Sequence, residues 1–91
     1  MKETWVIEGK LERNVSEVTA QYCHWQYIGF SEDGRRAEDG RAFPTDKEAD
    51  AYQGTLDEVI TKFTASNWNP SWVFKLTCLQ TKESIPTEIF V

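Results

Sequence analysis

Apolar and polar positions alternate from Thr4 to Glu12. Trp5, Ile7, Gly9 and Leu11 fall on one face, and Glu8, Lys10 and Glu12 on the other. That period of two predicts a half-buried antiparallel strand, within which Gly9 marks a bulge or a close backbone approach. A second run, Thr19 to Phe30, is rich in Thr, Tyr, Trp, Ile and Phe, residues that suit a pleated surface. One of its faces carries Ala20, Tyr22, His24, Gln26, Ile28 and Phe30, and the other Thr19, Gln21, Cys23, Trp25 and Tyr27. Neither face is purely apolar, so each is expected to be partly covered, one by a helix and the other by a partner. The short run Arg41-Ala42-Phe43 is suited to close a hairpin.

The period then lengthens. Ala49, Tyr52, Leu56, Val59, Ile60 and Phe63 recur at helical spacing and form one apolar stripe, with Asp50, Gln53, Asp57, Glu58, Thr61 and Lys62 largely off it. The predicted start is Pro44-Thr45-Asp46-Lys47-Glu48, where Thr45 as N-cap and Glu48 at N3 match a capping box. Asp46 and Glu48 also suit the positive end of the helix dipole. Gly54 inside this helix costs about 1 kcal/mol relative to Ala, and close packing on the sheet would explain it. Asn67-Trp68-Asn69-Pro70-Ser71 ends the helix. Trp72 to Gln80 alternates again, Lys82 to Pro86 reads as a turn, and Thr87 to Val91 as a last short strand. The expected fold is α+β over residues 1–91 as a single domain. An antiparallel sheet of three to five strands carries one amphipathic helix on a face, in the order β-β-(β)-α-β-(β).

Composition narrows the function. A chain of 91 residues has a small core, and four Trp, three Tyr and five Phe enlarge what it can bury. The net charge of −5 argues against broad electrostatic binding to DNA, RNA or an anionic membrane, and permits a basic protein surface as partner. Acidity of this size also serves solubility alone. Cys23 and Cys78 are too few for a disulfide framework, and no apolar stretch reaches signal-peptide or membrane-span length. A cytoplasmic location with free thiols is expected, which makes the sequon Asn14-Val15-Ser16 a chance match.

Catalytic and metal chemistry find no pattern to rest on. His24 and Cys23 are neighbours, and on a strand they point to opposite faces; a partly buried structural histidine is the plainer reading. Two Cys and one His without paired spacing do not make a zinc site. Asp46-x-Glu48-x-Asp50 echoes a calcium loop, but its sixth position is Ala51 and its twelfth Asp57. Phosphate-binding glycine loops and nucleophile elbows are missing. The chain is therefore expected to be no enzyme, with no cofactor and no metal.

One segment concentrates charge. Glu-Asp-Gly-Arg occurs twice, as Glu32-Asp33-Gly34-Arg35 and Glu38-Asp39-Gly40-Arg41, with Arg36 between the copies. Asp-Gly favours tight reversals, so a compact presented loop is expected. Arg35, Arg36 and Arg41 are three of the ten basic residues, and each can form bidentate bonds to phosphate or carboxylate. The plain alternative pairs each Arg with Glu32, Asp33, Glu38 or Asp39 in solvent, which contributes little. Trp68 and Trp72 flank the Asn69-Pro70 break; one is expected to pack under the helix end, and the other either packs in the core, the commoner fate, or stands exposed as an interface anchor.

The stretch from Gly29 through Ile60, within a compact α+β chain of this length, resembles small phage anti-CRISPR proteins, in particular inhibitors of the type I-F surveillance complex. The resemblance implies a stoichiometric blocker that wedges among Cas backbone subunits beside the guide RNA and stops target DNA from hybridising. The net charge counts against free duplex DNA and membrane as partners, and action as a monomer, in the host cytoplasm if phage-encoded, is expected. On that reading, charge would place Arg35, Arg36 and Arg41 against guide-RNA phosphates, and Glu32, Asp33, Glu38 and Asp39 against Lys and Arg of the Cas proteins. A second resemblance rests on Phe43, Thr45, Glu48 and Ala49, whose spacing is similar to that in the arm-binding domains of phage integrases. It would imply a DNA-binding module, against which the acidic balance counts.

Overall fold

The alternation from Trp5 onward becomes the central strand of a sheet. In the computed structural model, which describes residues 3–12, 23–30, 42–66, 68 and 71–90, five strands form one antiparallel sheet. They are β1 (Trp5–Leu11), β2 (Gln26–Phe30), β3 (Ala42–Thr45), β4 (Trp72–Cys78) and β5 (Ser84–Pro86), arranged β3-β2-β1-β4-β5. One helix, α1 (Leu56–Thr64), lies between β3 and β4 in the chain. The α+β architecture, an antiparallel sheet with one helix, is the expected one; the optional third strand forms at Ala42–Thr45, whereas the last strand forms at Ser84–Pro86 and not at the expected Thr87–Val91.

Register assigns the two faces. β1 and β4 pair along their full lengths, from Trp5↔Cys78 to Leu11↔Trp72. The rungs Trp5/Cys78, Ile7/Leu76 and Gly9/Phe74 therefore share the face on which α1 packs. Val6/Thr77, Glu8/Lys75 and Lys10/Val73 share the other. The helix contributes Val59 and Phe63 to a core of Trp5, Ile7, Ile28, Leu76 and Cys78, all under a tenth exposed. Burying a side chain such as Ile7 or Leu76 stabilises the fold by roughly 1.5–3 kcal/mol each. Gly9 marks a close approach: a Cβ there would lie 2.7 Å from two ring carbons of Phe74. The missing side chain is what lets that aromatic ring lie over β1.

The helix begins later than its periodicity predicts. Its N-cap is Thr55 and not Thr45. Glu58 N–H donates to Thr55 Oγ1 at 3.2 Å and Thr55 N–H to Glu58 Oε1 at 2.9 Å, a reciprocal capping box. Thr45-x-x-Glu48 has the same spacing, but Pro44 and Thr45 are taken up by β3, opposite Ile28 and Tyr27. Thr45 Oγ1 there only accepts from Lys47 N–H at 3.1 Å, and Glu48–Asp50 makes a single 3₁₀ turn.

Residues 51–54 are extended for a tertiary reason. β2 pairs with β1 only at Glu8↔Tyr27 and Gly9↔Gln26. Beyond those rungs Ile28 O accepts from Tyr52 N–H at 3.0 Å. Trp5 N–H donates to Gly54 O at 2.8 Å, and Gly54 N–H returns the bond to Trp5 O at 3.2 Å. The segment takes up backbone groups of both strands, so Gly54 is a sheet-edge residue and not a helical one. Ala49 is exposed and Tyr52 half-buried, while Leu56, Val59, Ile60 and Phe63 keep the predicted stripe.

Two further boundaries differ. Strand structure in the second run begins at Gln26. Cys23–Trp25 lie outside it, and the earlier part of that run falls outside the described residues. At the C-terminal end the turn is tighter than expected. Lys82 adopts φ 66°, Lys82 N–H donates to Cys78 O at 2.9 Å and Cys78 N–H to Glu83 O at 2.9 Å. The chain therefore pairs back at once as β5, and Thr87–Phe90 is a 3₁₀ turn in place of the predicted strand. Thr87 is buried and its hydroxyl donates to Phe74 O at 3.1 Å.

Candidate functional site

The charged candidates Glu32, Asp33, Arg35, Arg36, Glu38, Asp39 and Arg41 all lie outside the described residues. Their flanks are defined. β2 and β3 form an antiparallel pair whose last rung is Phe30↔Ala42, so residues 31–41 connect the two strands of a hairpin at one edge of the sheet. Both ends are held. Phe30 packs edge-on against Tyr52 and Trp68, with ring centroids 5.7 and 5.9 Å away, and Lys62 Nζ sits 4.7 Å from its centroid. At Gly29, opposite Phe43, an added Cβ would meet Asp50 O and would lie 2.6 Å from Phe43 Cζ.

The edges of the sheet are poor templates for strand addition. β3 has four residues and contains Pro44; β5 has three and ends at Pro86. Short edge strands with proline lack a full ladder of donors. Recognition through this fold therefore falls to faces and loops.

The helix side carries most of the aromatic mass. Trp68 stacks on Phe63 at 4.9 Å and tilts against Phe74 at 4.6 Å, and its indole N–H donates to Phe63 O at 2.7 Å. That contact satisfies a carbonyl near the helix C-terminus and fulfils the expectation of one Trp packed under the helix end. Trp72 stacks on Phe74 at 6.3 Å. Beside this cluster runs a shallow groove of about 360 Å³, open along one side and lined by Tyr52, Asp57, Glu58, Thr61, Lys62 and Ala65. Lys62 Nζ lies over the rings of Phe30 and Tyr52, at 4.7 and 5.6 Å, and Glu58 serves the helix cap, so the groove presents few uncommitted polar groups.

The opposite face carries a feature that linear spacing does not reveal. Trp25 stands one step beyond the Gly9↔Gln26 rung, beside Lys10. Lys10 Nζ lies 4.9 Å and Lys75 Nζ 4.2 Å from the Trp25 ring centroid. The indole is still 38% exposed. Trp25 immediately precedes β2, Lys10 stands on β1 and Lys75 on β4, one rung pair away from Lys10, and only the register brings them together. Phe43, 37% exposed, is the other large exposed apolar side chain among the described residues. Tyr27, between them on β2, has its phenol pKa raised above 10.0, first by burial and then by the carboxylates of Glu48 and Glu8.

The sulfur and imidazole groups are apart. Cys78 is fully buried and its thiol points to Glu3 Oε2 at 3.4 Å and Gln80 Oε1 at 3.6 Å. It stands opposite Trp5 at one end of β1, whereas His24 precedes the Gly9↔Gln26 rung towards the other. At ~3.3 Å per residue, roughly 13 Å of strand separates those rungs. His24 is exposed, not partly buried as expected. Among the described residues no group of three or more His, Cys, Asp or Glu side chains is placed to hold a metal, no buried polar side-chain atom lacks a partner, and no helix is long and apolar enough to cross a membrane. No family model, curated protein or solved structure matches the chain.

Proposed function

We propose that this chain is a non-catalytic, phage-encoded inhibitor that binds a bacterial CRISPR-Cas surveillance ribonucleoprotein of the type I-F kind and blocks hybridisation of target DNA to the guide RNA. The observation that carries the reading is the doubled Glu-Asp-Gly-Arg segment set between the paired ends of β2 and β3. A hairpin connection bearing both signs of charge suits a partner bearing both, an RNA backbone lined by basic protein. Arg35, Arg36 and Arg41 take the phosphates, and Glu32, Asp33, Glu38 and Asp39 take the Lys and Arg around them. The packing of Phe30 against Tyr52 and Trp68 supports this, because it fixes the strand from which the connection departs. The proline-bearing edges support it further, by directing contact to loops and faces.

The DNA-binding alternative has less support. Phe43, Thr45 and Glu48 fall on an edge strand and a 3₁₀ turn and not on a helix start. The exposed stretch around them adds Asp46, Glu48, Asp50, Asp57 and Glu58 against Lys47, charge that repels a duplex.

Affinity purification from a bacterium with an active type I-F system tests the proposal. The tagged chain should recover the Cas subunits with their guide RNA, and its expression should let phage escape interference. Recovery of the chain alone, with interference unchanged, would end the reading. Replacing Arg35, Arg36 and Arg41 together with Ala should weaken capture while the unfolding midpoint stays put. Free-duplex binding with a steep salt dependence would favour the alternative instead.

A further inference from the structure

We infer that Trp25, Lys10 and Lys75 form a landing for one unpaired base of a single-stranded nucleic acid, the base stacking on the exposed indole and adjacent phosphates pairing with the two ammonium groups. Of the four tryptophans, Trp5 is buried at 5% exposure and Trp68 and Trp72 are half-buried. Trp25 is the most exposed of them, and Lys10 Nζ and Lys75 Nζ lie 4.9 and 4.2 Å from its ring centroid. The three residues stand on or beside β2, β1 and β4, whose rungs Gly9↔Gln26, Lys10↔Val73 and Glu8↔Lys75 hold them in register. The platform is thus built before any ligand arrives.

The chemistry selects the occupant. An acidic peptide would use the ammonium groups and leave the indole without a matching surface. A nucleotide supplies both a π face and a phosphate, the combination that aromatic-and-lysine platforms bind. A duplex hides its base faces within the stack and offers only edges. Glu8, opposite Lys75 on the same face, repels a further phosphate on the Tyr27 side, so the site takes one nucleotide and not a long track. That accords with the net charge of −5. The inference rests on the proposed function only for the source of the strand, which would be the guide RNA.

The test uses the full chain, ¹⁵N-labelled, titrated with an oligouridylate of about eight nucleotides, a span within that of known single-strand sites. The Trp25 indole signal, assigned by its loss in Trp25→Phe, should shift on binding. Trp25→Ala should weaken affinity about fivefold to a hundredfold, the range found for one stacked base, while Trp25→Phe retains most of it. Lys10→Gln with Lys75→Gln should lower the slope of log affinity against log salt by about 1.4, two phosphate contacts on a single strand. An indole signal unmoved at millimolar oligouridylate, equal affinity in Trp25→Ala, or duplex binding as tight as single-strand binding would each overturn the inference. Capture of the surveillance particle without any oligouridylate binding defeats this inference alone. Oligouridylate binding through Trp25 without particle capture defeats the proposed function and leaves this inference standing.

Discussion

Replacing Thr55 with Ala should shorten or fray α1, whereas the same change at Thr45 should leave the fold almost untouched. The two residues begin identical Thr-x-x-Glu patterns, and the difference between them is tertiary. Thr55→Ala removes the oxygen that accepts from Glu58 N–H at 3.2 Å. It also loosens the return bond from Thr55 N–H to Glu58 Oε1 at 2.9 Å. Loss of such a cap costs about 1 kcal/mol, within a range of roughly 0.5–2. The helix has nine residues, too few to be stable without its cap and its packing, so a value in the upper half of that range is expected. For a domain of this size the midpoint of thermal unfolding should fall by about 4–8 °C per kcal/mol. Thr45→Ala gives up only the bond from Lys47 N–H at 3.1 Å in an exposed turn, where water replaces the hydroxyl, and a change within about 0.5 kcal/mol is expected. Urea unfolding followed by far-ultraviolet circular dichroism measures both. A loss in Thr45→Ala equal to or greater than that in Thr55→Ala would show that the helix starts at the earlier box and would refute the assignment. The double variant Thr55→Ala/Glu58→Ala adds a second check, because reciprocal bonds lost together should cost less than the sum of the single losses.

Three other outcomes follow from the packing and electrostatics. Gly29→Ala drives a Cβ into Asp50 O and the Phe43 ring and should destabilise by about 1–3 kcal/mol, read as a lower urea midpoint with an unchanged slope. Phe63→Ala removes a ring that is 4% exposed and stacked on Trp68. A loss of about 3–5 kcal/mol is expected, large enough to leave much of the chain unfolded at room temperature by near-ultraviolet circular dichroism. Tyr27 ionises above 10.0 in the folded chain, so the folded state holds this proton longer than the unfolded state. Its contribution to stability is full below pH 10 and is lost as pH rises through the folded pKa. Tyr27→Phe should abolish that alkaline component of the stability profile and remove one late phenol transition at 295 nm.

The strands and the apolar stripe of the helix were legible where one face meets the core. Trp5, Ile7 and Gly9 against Glu8 and Lys10 is a pattern that only a half-buried strand satisfies, and the rungs with Cys78, Leu76 and Phe74 agree with it. Leu56, Val59, Ile60 and Phe63 likewise kept their helical spacing. Tyr52 and Ala49 extended that spacing by coincidence: Tyr52 N–H is bonded to Ile28 O and Gly54 to Trp5, partners more than twenty residues away that no local window contains. The early return of β5 is local instead: Lys82 turns through φ 66° and bonds back to Cys78 O, four residues away. Of the candidate sites, the charged loop was visible as a doubled tetrapeptide, whereas the Trp25 platform was not. Its members are fifteen and fifty residues apart, and each is unremarkable in its own segment.

The sequence by itself determined the class of fold, the presence of one amphipathic helix, and the alternation of β1 and the apolar stripe of α1. Those choices follow from period and burial, which are local and strong. Only the tertiary structure decided which of two capping boxes starts the helix, because pairing at Pro44 and Thr45 and again at Gly54 withdraws residues 44–54 from helical bonding. It also decided what stands beside Trp25, because register is a relation between strands and joins residues that the chain keeps apart.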